Sequence, residues 1–412
     1  MRCQISHESG SAGWNPLILR MSHLRFVDPG VRLRWLRTIT ACGFIAGLLL
    51  SPRLWLSSRS FPPAPVSDRL SLVPFPLDYA WFGLLLALLG ASIFVRRPRP
   101  YLVGFVVLVA VYTLWDQARW TPWVYQYAVI LAVLSFHCPG SADARRDAVL
   151  NSCRVISATT YFWAGLQKVN VSFIRRGFPW LISPLIGLLP DSVRGWPYPL
   201  GLGVALLEAS LGVALLTRPL RQVAVRAAMG MHALLLLLIG PFGLRWDSLV
   251  WPWNVVMAAS VGLLFWRVND SPLRAMLYQR SFVPHYAVLL LFAVMPALNF
   301  FDAWDANFSA ALYSASTKHA LVHVDERVKV QLPAEAQRHL RRLGGGQLVL
   351  DVFRWSISER NVEPYPEERT YKSVARRLCG LTRGSGLTLV IYGTPDWRSG
   401  QRSEVRYRCE DL

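Results

Sequence analysis

Three ionisable residues lie inside long apolar segments of this sequence: Lys168, Glu208 and His232. A charged side chain at the centre of a lipid bilayer costs roughly 2.5 to 3.5 kcal/mol on insertion scales, so chains seldom keep one there without a use. In membrane proteins such residues line substrate or ion pathways and relay protons. The sequence therefore indicates one candidate site that these three side chains share.

Each of the three also has a purely structural explanation. Lys168 lies near the end of its apolar segment, where a lysine can extend its ammonium group to the membrane interface. Glu208 can be a neutral carboxyl bonded to a neighbouring helix, and His232 can be a packing residue. Because a short connection joins their two segments, a Glu208–His232 hydrogen bond would satisfy both groups without a net buried charge.

Three further residues are candidates for a substrate pocket. Tyr161 comes seven residues before the lysine and therefore shares its helical face. Asn254 and Asp116 add polar groups to the outer half of the predicted bundle. Trp251 and Trp253, beside Asn254, fit an aromatic belt at the membrane interface equally well.

The composition is that of a membrane protein. The chain has 412 residues, of which 53% are hydrophobic and 17% charged, whereas soluble domains carry about 25% charged residues. Its net charge of +19 comes mainly from arginine, which is typical of cytoplasmic loops and of contact with anionic lipid. No soluble basic module indicates nucleic-acid binding. The cysteines and histidines lack the spacing of a zinc site, so no metal is predicted.

Hydropathy predicts an all-α polytopic bundle of about nine transmembrane helices within a membrane domain at 32–301. The predicted spans are 35–56, 77–95, 101–117, 121–138, 149–169, 197–217, 222–243, 248–267 and 282–301. Arginine clusters recur in alternate loops, which predicts a cytoplasmic N-terminus and an external C-terminus in the cell (inner) membrane. The lipid bilayer is thus the first expected partner.

The two ends of the chain differ from this bundle. Residues 1–31 have no periodicity and are predicted to be disordered, with Met21 as an alternative start. Residues 170–196 contain an apolar stretch too short to cross, which predicts an interfacial or re-entrant piece.

Residues 302–412 are charged and predict a small α+β extracytoplasmic domain. The predicted strands are near 320–330, 347–357, 387–393 and 403–409, and the predicted helices are near 333–343 and 366–380. Cys379 and Cys409 are the only cysteines of this domain. In an oxidising compartment they are expected to form a disulfide, and the alternative is two unpaired thiols.

The middle of the chain, over roughly 150–280, resembles the vitamin K-dependent gamma-carboxylase family, including its bacterial HTTM (horizontally transferred transmembrane) relatives. The resemblance depends on three features that follow one another along the chain. The first is a segment of aromatic and small residues that ends in a lysine, the second is an acid, and the third is a histidine. These residues are Tyr161, Phe162, Ala164, Gly165, Lys168, Gly177, Glu208, Gly212 and His232. The run of leucines after the histidine and the small size of the outer domain differ from the family pattern.

In that family the lysine is the base that deprotonates a reduced naphthoquinone. The oxygen chemistry that follows drives abstraction of a glutamate γ-proton and capture of carbon dioxide. The resemblance therefore implies Lys168 as base, a reduced naphthoquinone as cofactor, and an external protein or peptide as partner. Glu208 and His232 would support the pocket or relay protons.

Two other functions fit the same residues. The chain can be a non-enzymatic envelope scaffold or binding protein whose buried polar residues only fix helix packing. It can also be a transporter in which Glu208 and His232 relay protons. A transporter is expected to show pseudo-repeated halves with broken helices, and no internal repeat is evident in the sequence.

Overall fold

The structure is a computed structural model that describes residues 28–67, 69–70, 73, 75–137, 143–187, 190, 197–268, 273–280 and 282–412. Most of the predicted disordered segment thus lies outside the described residues. Its last residues are helical, because Asp28 caps a helix that begins at Pro29 and accepts hydrogen bonds from the backbone of Gly30 and Val31.

The described residues form sixteen α-helices and five strands. The helices of the bundle are α1 (Pro29–Leu50), α2 (Pro52–Trp55), α3 (Leu77–Phe94), α4 (Arg99–Leu114), α5 (Pro122–Leu134), α6 (Asp143–Gln167), α7 (Phe178–Leu181), α8 (Ser183–Ile186), α9 (Pro197–Leu216), α10 (Arg221–Ile239), α11 (Val250–Phe265), α12 (Leu273–Leu277) and α13 (Val283–Val288). The C-terminal elements are β1 (His319–Val324), α14 (Ala334–Gln337), β2 (Leu340–Arg342), β3 (Leu348–Asp351), α15 (Val352–Arg360), α16 (Glu368–Leu381), β4 (Leu387–Tyr392) and β5 (Glu404–Arg408).

Five helices of the described residues are long and apolar enough to cross a membrane. They are α1, α3, the part of α9 over Pro199–Leu216, α10, and the helical segment Val283–Phe301, which begins with α13 and continues as π and 3₁₀ turns. The apolar helices α4, α5 and α11 are shorter. Much of the surface of α9 and α10 is exposed and apolar, for example at Leu206 and Leu237. Such surfaces indicate a membrane-embedded protein.

Helix α6 lies at the centre of the bundle. It has 25 residues, most of them buried, and it is the least apolar of the long helices. The segment that follows it makes only short helical pieces, among them α7 and α8. Where it is described, this segment therefore does not cross the bundle, as the sequence predicts.

Two buried arginines donate hydrogen bonds to the backbone carbonyls at the C-terminal end of α11. Arg32 donates to the carbonyls of Leu263 and Trp266 at 2.7 and 2.8 Å, and Arg154 donates to the carbonyl of Leu264 at 2.8 Å. Since the last carbonyls of a helix have no partner within the helix, cations at this end satisfy them and oppose the helix dipole. Arg32 is thus a buried residue of the bundle and not part of an exposed basic segment before the first span.

The C-terminal domain is an antiparallel sheet with helices packed on it. The strand order is β2-β3-β1-β4-β5, and α15 and α16 contribute Trp355 and Leu378 to its core. The predicted disulfide is confirmed, because a bond joins Cys379 in α16 to Cys409 just after β5. The α+β class of this domain is also confirmed.

Three predicted elements of this domain are wrong in part. The predicted strand near 320–330 ends at Val324, and Lys329–Gln331 forms a 3₁₀ turn. The predicted helix at 333–343 ends after one turn, and Leu340–Arg342 instead pairs with β3 through a turn in which Gly345 and Gly346 have positive φ. The predicted strand at 347–357 ends at Asp351, whose side chain accepts a hydrogen bond from the Arg354 backbone and starts α15. A hairpin glycine and a helix cap therefore override the local strand and helix patterns.

Candidate functional site

A small cavity lies among α6, α9, α10, α11 and the chain around Tyr313. Its volume is about 80 Å³, whereas typical small-molecule sites have roughly 300 to 1,000 Å³. Its walls combine apolar side chains with all three ionisable residues singled out in the sequence. The lining residues that matter for the chemistry are Thr160, Tyr161, Lys168, Glu208, His232, Trp253, Asn254 and Tyr313.

Lys168 and Glu208 form an ion pair on one wall of this cavity. The Lys168 Nζ lies 2.7 Å from Glu208 Oε2 and also donates to the carbonyl of Ala164 at 3.2 Å. Both side chains are almost fully buried. The ammonium group therefore does not extend into solvent, and the lysine has a fixed partner instead.

His232 belongs to a second hydrogen-bonded group that lines the same cavity. Its Nδ1 lies 2.7 Å from Asn254 Oδ1, and its Nε2 lies 2.5 Å from the Tyr161 hydroxyl. Asn254 donates its amide to the carbonyl of Val250 at 2.8 Å, so its oxygen faces the imidazole. This network assigns the proton to Nδ1 and leaves Nε2 as acceptor of the Tyr161 proton.

The expected Glu208–His232 hydrogen bond is absent from this arrangement. Glu208 pairs with Lys168, and both ring nitrogens of His232 have other partners. The reason is the close packing of α6 on α9, which places the acid against the lysine rather than against α10. The short connection between α9 and α10 therefore does not decide which polar groups meet.

Small residues allow that close packing. A Cβ built on Gly165 of α6 would overlap the backbone of Ala205 and Ala209 in α9, and one built on Gly212 would overlap the carbonyl of Ala158. Contacts of this kind let helix backbones approach each other in membranes. Ala205 and Ala209 are both buried in this interface.

Replacing Gly165 by leucine is expected to separate α6 from α9 and so to disrupt the ion pair. Overpacking a filled interface costs about 3 kcal/mol or more when backbone must move. We expect a lower thermal midpoint of the protein in nanodiscs and a loss of any activity of the cavity. Gly203→Leu is the matched control in α9, because no described atom lies within 4 Å of a Cβ at that position. Equal midpoints for both variants would contradict this account of the interface.

The sequence alone did not reveal Tyr313, which lines the cavity, or its partner Asp247. Tyr313 comes from the chain after the last apolar helix, and its hydroxyl donates to Asp247 Oδ2 at 3.2 Å. Asp247 lies in the loop between α10 and α11 and is 8% exposed. Burial raises the pKa of Asp247 to about 7, although the hydrogen bond from Tyr313 lowers it. A protonatable carboxyl therefore lies next to the cavity, outside the membrane-spanning helices.

The sequence also did not reveal the hydrogen-bonded group that holds Trp253 beside the cavity. Trp253 donates to Gln126 Oε1 at 2.8 Å, and Gln126 donates to the Thr160 hydroxyl at 3.1 Å. Glutamine in α5 gave no distinct signal in the sequence, because one buried amide in an apolar helix has no characteristic spacing. Trp253 therefore lines the cavity with a defined hydrogen-bond partner, and it is not only an interfacial residue.

Asp116 does not lie with the other candidate pocket residues. It is in the loop after α4, 2.5 Å from Arg59 and 4.0 Å from Arg360 of α15. Burial alone would raise its pKa, but Arg59, Arg119 and Arg360 together lower the pKa below its ordinary value. Asp116 therefore does not line the cavity of Lys168, and its carboxylate joins the bundle to the C-terminal domain.

The site offers acid–base groups. Among the described residues no group of three or more histidine, cysteine or acidic side chains is arranged to hold a metal ion. The ion pair and the tyrosine–histidine–asparagine chain can donate, accept and hold protons beside an apolar space. No protein-family model, no curated protein and no solved structure matches this chain, so the resemblance to the gamma-carboxylases rests on its residues alone.

Proposed function

We propose that the protein is a membrane-embedded enzyme that deprotonates a hydroxyl group of a small, lipid-soluble quinol, with Lys168 as the base. The observation that carries the proposal is the ion pair of Lys168 and Glu208 on the wall of an apolar cavity. Buried ionisable groups in membrane helices are expensive and are typical of functional sites. An apolar cavity among membrane helices is also accessible to a ligand dissolved in the bilayer.

The proton has a defined route in this proposal. Glu208 takes a proton from the Lys168 ammonium along the 2.7 Å hydrogen bond, which leaves a neutral amine. Exchange of an ion pair for a neutral pair is favoured where burial disfavours both charges. The amine then accepts the substrate hydroxyl proton. The tyrosine–histidine–asparagine chain, which lines the same cavity, orients the substrate by hydrogen bonding.

The size of the cavity limits the substrate. At about 80 Å³ the space holds a small ring only if neighbouring side chains move. Met231 and Met257 line the cavity, and methionine adapts its shape more readily than other apolar residues. A bicyclic quinol therefore enters by displacement of these two side chains, and a single-ring quinol enters more easily.

The same proposal includes the membrane topology. Nine spans arise if α4, α5, α6 and α11 cross together with the five long apolar helices, since each lies at a predicted span. The cytoplasmic N-terminus then follows from the arginine clusters. The disulfide of the C-terminal domain supports its placement outside the cytoplasm, because such bonds persist in oxidising compartments.

The test is oxygen-dependent epoxidation of reduced naphthoquinones and benzoquinones by the purified protein in nanodiscs. Per turnover, one quinol and one O₂ give one epoxide and one water. We expect turnover in the wild type and a loss of about 100-fold or more in Lys168→Met, which is the scale of a removed general base. Lys372→Met is the matched control, because Lys372 lies on the surface of α16 in an i,i+4 pair with Glu368.

A scaffold or binding function is the second candidate, and one observation favours it. The ion pair and both ring nitrogens of His232 already have partners within the protein, so these groups need no ligand. A scaffold predicts no turnover with any quinol. Absence of turnover in the folded wild type across both quinol classes would sink the enzyme proposal and favour the scaffold.

A further inference from the structure

A polar groove lies where the bundle meets the C-terminal domain. Its volume is about 410 Å³, within the range of roughly 300 to 1,000 Å³ that is typical of ligand sites. It runs between the end of α6, the last turn of the helical segment Val283–Phe301, and the loop between β4 and β5. Among the described residues it shares no lining side chain with the cavity of Lys168.

The lining of this groove is rich in amides and hydroxyls. Gln167, Asn299 and Gln401 supply amides, and Ser316, Thr394 and Ser403 supply hydroxyls. A single carboxylate, Asp396, contributes charge, and no lysine or arginine is among the described lining residues. The groove is therefore suited to a neutral, hydroxyl-rich ligand rather than to a phosphate or a carboxylate, which needs cations.

One buried donor in the groove has no partner. Gln167 is 2% exposed, and its Oε1 accepts a hydrogen bond from Asn299 Nδ2 at 3.1 Å. Within the described part of the chain its Nε2 has no hydrogen-bond partner. A buried donor left without a partner destabilises a protein by about 1 to 3 kcal/mol. A ligand hydroxyl in the groove would accept this bond.

An exposed tryptophan forms the outer wall. Trp397 lines the groove, is 57% exposed and has the Arg398 guanidinium packed over its ring at 4.5 Å. Its loop is held in place, because Asp396 accepts hydrogen bonds from the Ser399 backbone and hydroxyl at 2.7 and 2.8 Å. The Trp397 carbonyl also accepts from the Val171 backbone at 3.0 Å, which ties the loop to the bundle. The backbone that carries the indole is thus anchored, and the ring is accessible for stacking.

We propose that this groove binds a neutral saccharide. A sugar ring has an apolar C–H face, which an indole covers, and hydroxyls at its edge, which amides and serines bond. Phe300 lines the groove, and Phe301 is largely exposed at the end of the last apolar helix, so the groove adjoins the expected membrane surface. The saccharide can therefore be free or the headgroup of a glycolipid. This inference is independent of the acid–base chemistry of the cavity.

The experiment compares two sources of the same chemistry with the full-length protein in nanodiscs. One arm titrates maltose by saturation-transfer NMR. The other measures surface-plasmon-resonance binding to phosphatidylglycerol vesicles with and without diglucosyl diacylglycerol. Binding in the first arm identifies a free saccharide, and binding only to glycolipid vesicles identifies a lipid headgroup. Absence of saccharide-dependent binding in both arms overturns the proposal.

Three variants locate the binding. We expect Trp397→Ala to weaken it about tenfold or more, and Trp397→Phe, which keeps an aromatic face, to weaken it much less. Gln167→Leu removes one hydrogen bond and is expected to weaken it about fivefold. Gln331→Leu, an exposed amide elsewhere in the domain, is the control. Unchanged affinity in both folded variants, Trp397→Ala and Gln167→Leu, also overturns the proposal. If Trp397→Ala misfolds, Gln167→Leu against Gln331→Leu decides.

Discussion

Replacing Glu208 by alanine is expected to destabilise the protein by about 3 to 5 kcal/mol, the range for a buried pair that loses one partner. Lys168 would then be left with only the Ala164 carbonyl at 3.2 Å. Its side chain is only 11% exposed, so its charge would remain largely buried without a partner. The measurement is the thermal midpoint in nanodiscs, supported by chemical denaturation where that is reversible.

Two further variants separate charge from packing. Lys168→Met is expected to be milder than Glu208→Ala, since methionine fills most of the space of the lysine whereas alanine leaves a gap beside the buried ammonium group. The double variant Lys168→Met with Glu208→Leu removes both charges, and we expect it to recover most of the stability, as buried pairs often tolerate apolar replacement. The surface control is Glu335→Ala, which breaks an exposed pair with Arg338 and costs less than about 1 kcal/mol.

The double variant also distinguishes the two candidate functions. A pair that only fixes helix packing is dispensable once methionine and leucine fill its space, so a scaffold with this replacement keeps its properties. An acid–base site cannot survive the change, and the enzyme proposal expects a stable but inactive protein. A Glu208→Ala midpoint no lower than that of Glu335→Ala would contradict the burial of the pair.

The sequence was sufficient to find the site residues but not their pairing. Lys168, Glu208 and His232 stand out because ionisable groups in apolar segments are rare and expensive. Their partners depend on which helix faces which, and that depends on backbone contacts such as Gly165 against Ala209. Sequence spacing shows that small residues share a face, but it does not give the register between two helices.

One physical reason explains why the sequence did not indicate Asp247 and Tyr313 as residues near the cavity. Asp247 and Tyr313 lie in irregular chain outside the apolar helices, where an acid or a tyrosine is ordinary and gives no signal. Asp116 was expected in the pocket because of its depth in the bundle, yet Arg59 and Arg360 bind it at the junction with the domain. The depth of a residue in the membrane therefore does not determine which part of the bundle it lies in. That lateral position depends on long-range packing between helices and domains.

The buried carboxyl Asp247 is expected to make stability depend on pH near neutrality. Burial raises its pKa from 3.8 to about 7, so the folded state holds a proton that the unfolded state releases. The contribution of Asp247 to the free energy of unfolding is fully present below pH 3.8 and is lost as the pH rises through about 7. The rise in pKa corresponds to about 4 kcal/mol across this window.

Glu363 strengthens the same dependence. Burial and the charge of Asp247 raise the pKa of Glu363 to about 8, so ionisation of one acid opposes ionisation of the other. Both carboxyls thus destabilise the folded state in the same direction as the pH increases. The two groups titrate as a coupled pair, and a variant at either position changes the pH dependence of both.

Replacing Asp247 by asparagine is the direct test. Asparagine keeps the shape and an oxygen that can accept the Tyr313 hydroxyl proton, but it cannot ionise. We expect Asp247→Asn to have a higher thermal midpoint than the wild type at pH 8.5 and a clearly smaller advantage at pH 5, where only part of the stabilisation of the wild type has been lost. Asp325→Asn, at an exposed acid of the C-terminal domain, is the matched control and is expected to change neither value. A difference between Asp247→Asn and wild type that is the same at both pH values would mean that Asp247 is already ionised in the folded protein at pH 5, and it would contradict the raised pKa of this carboxyl.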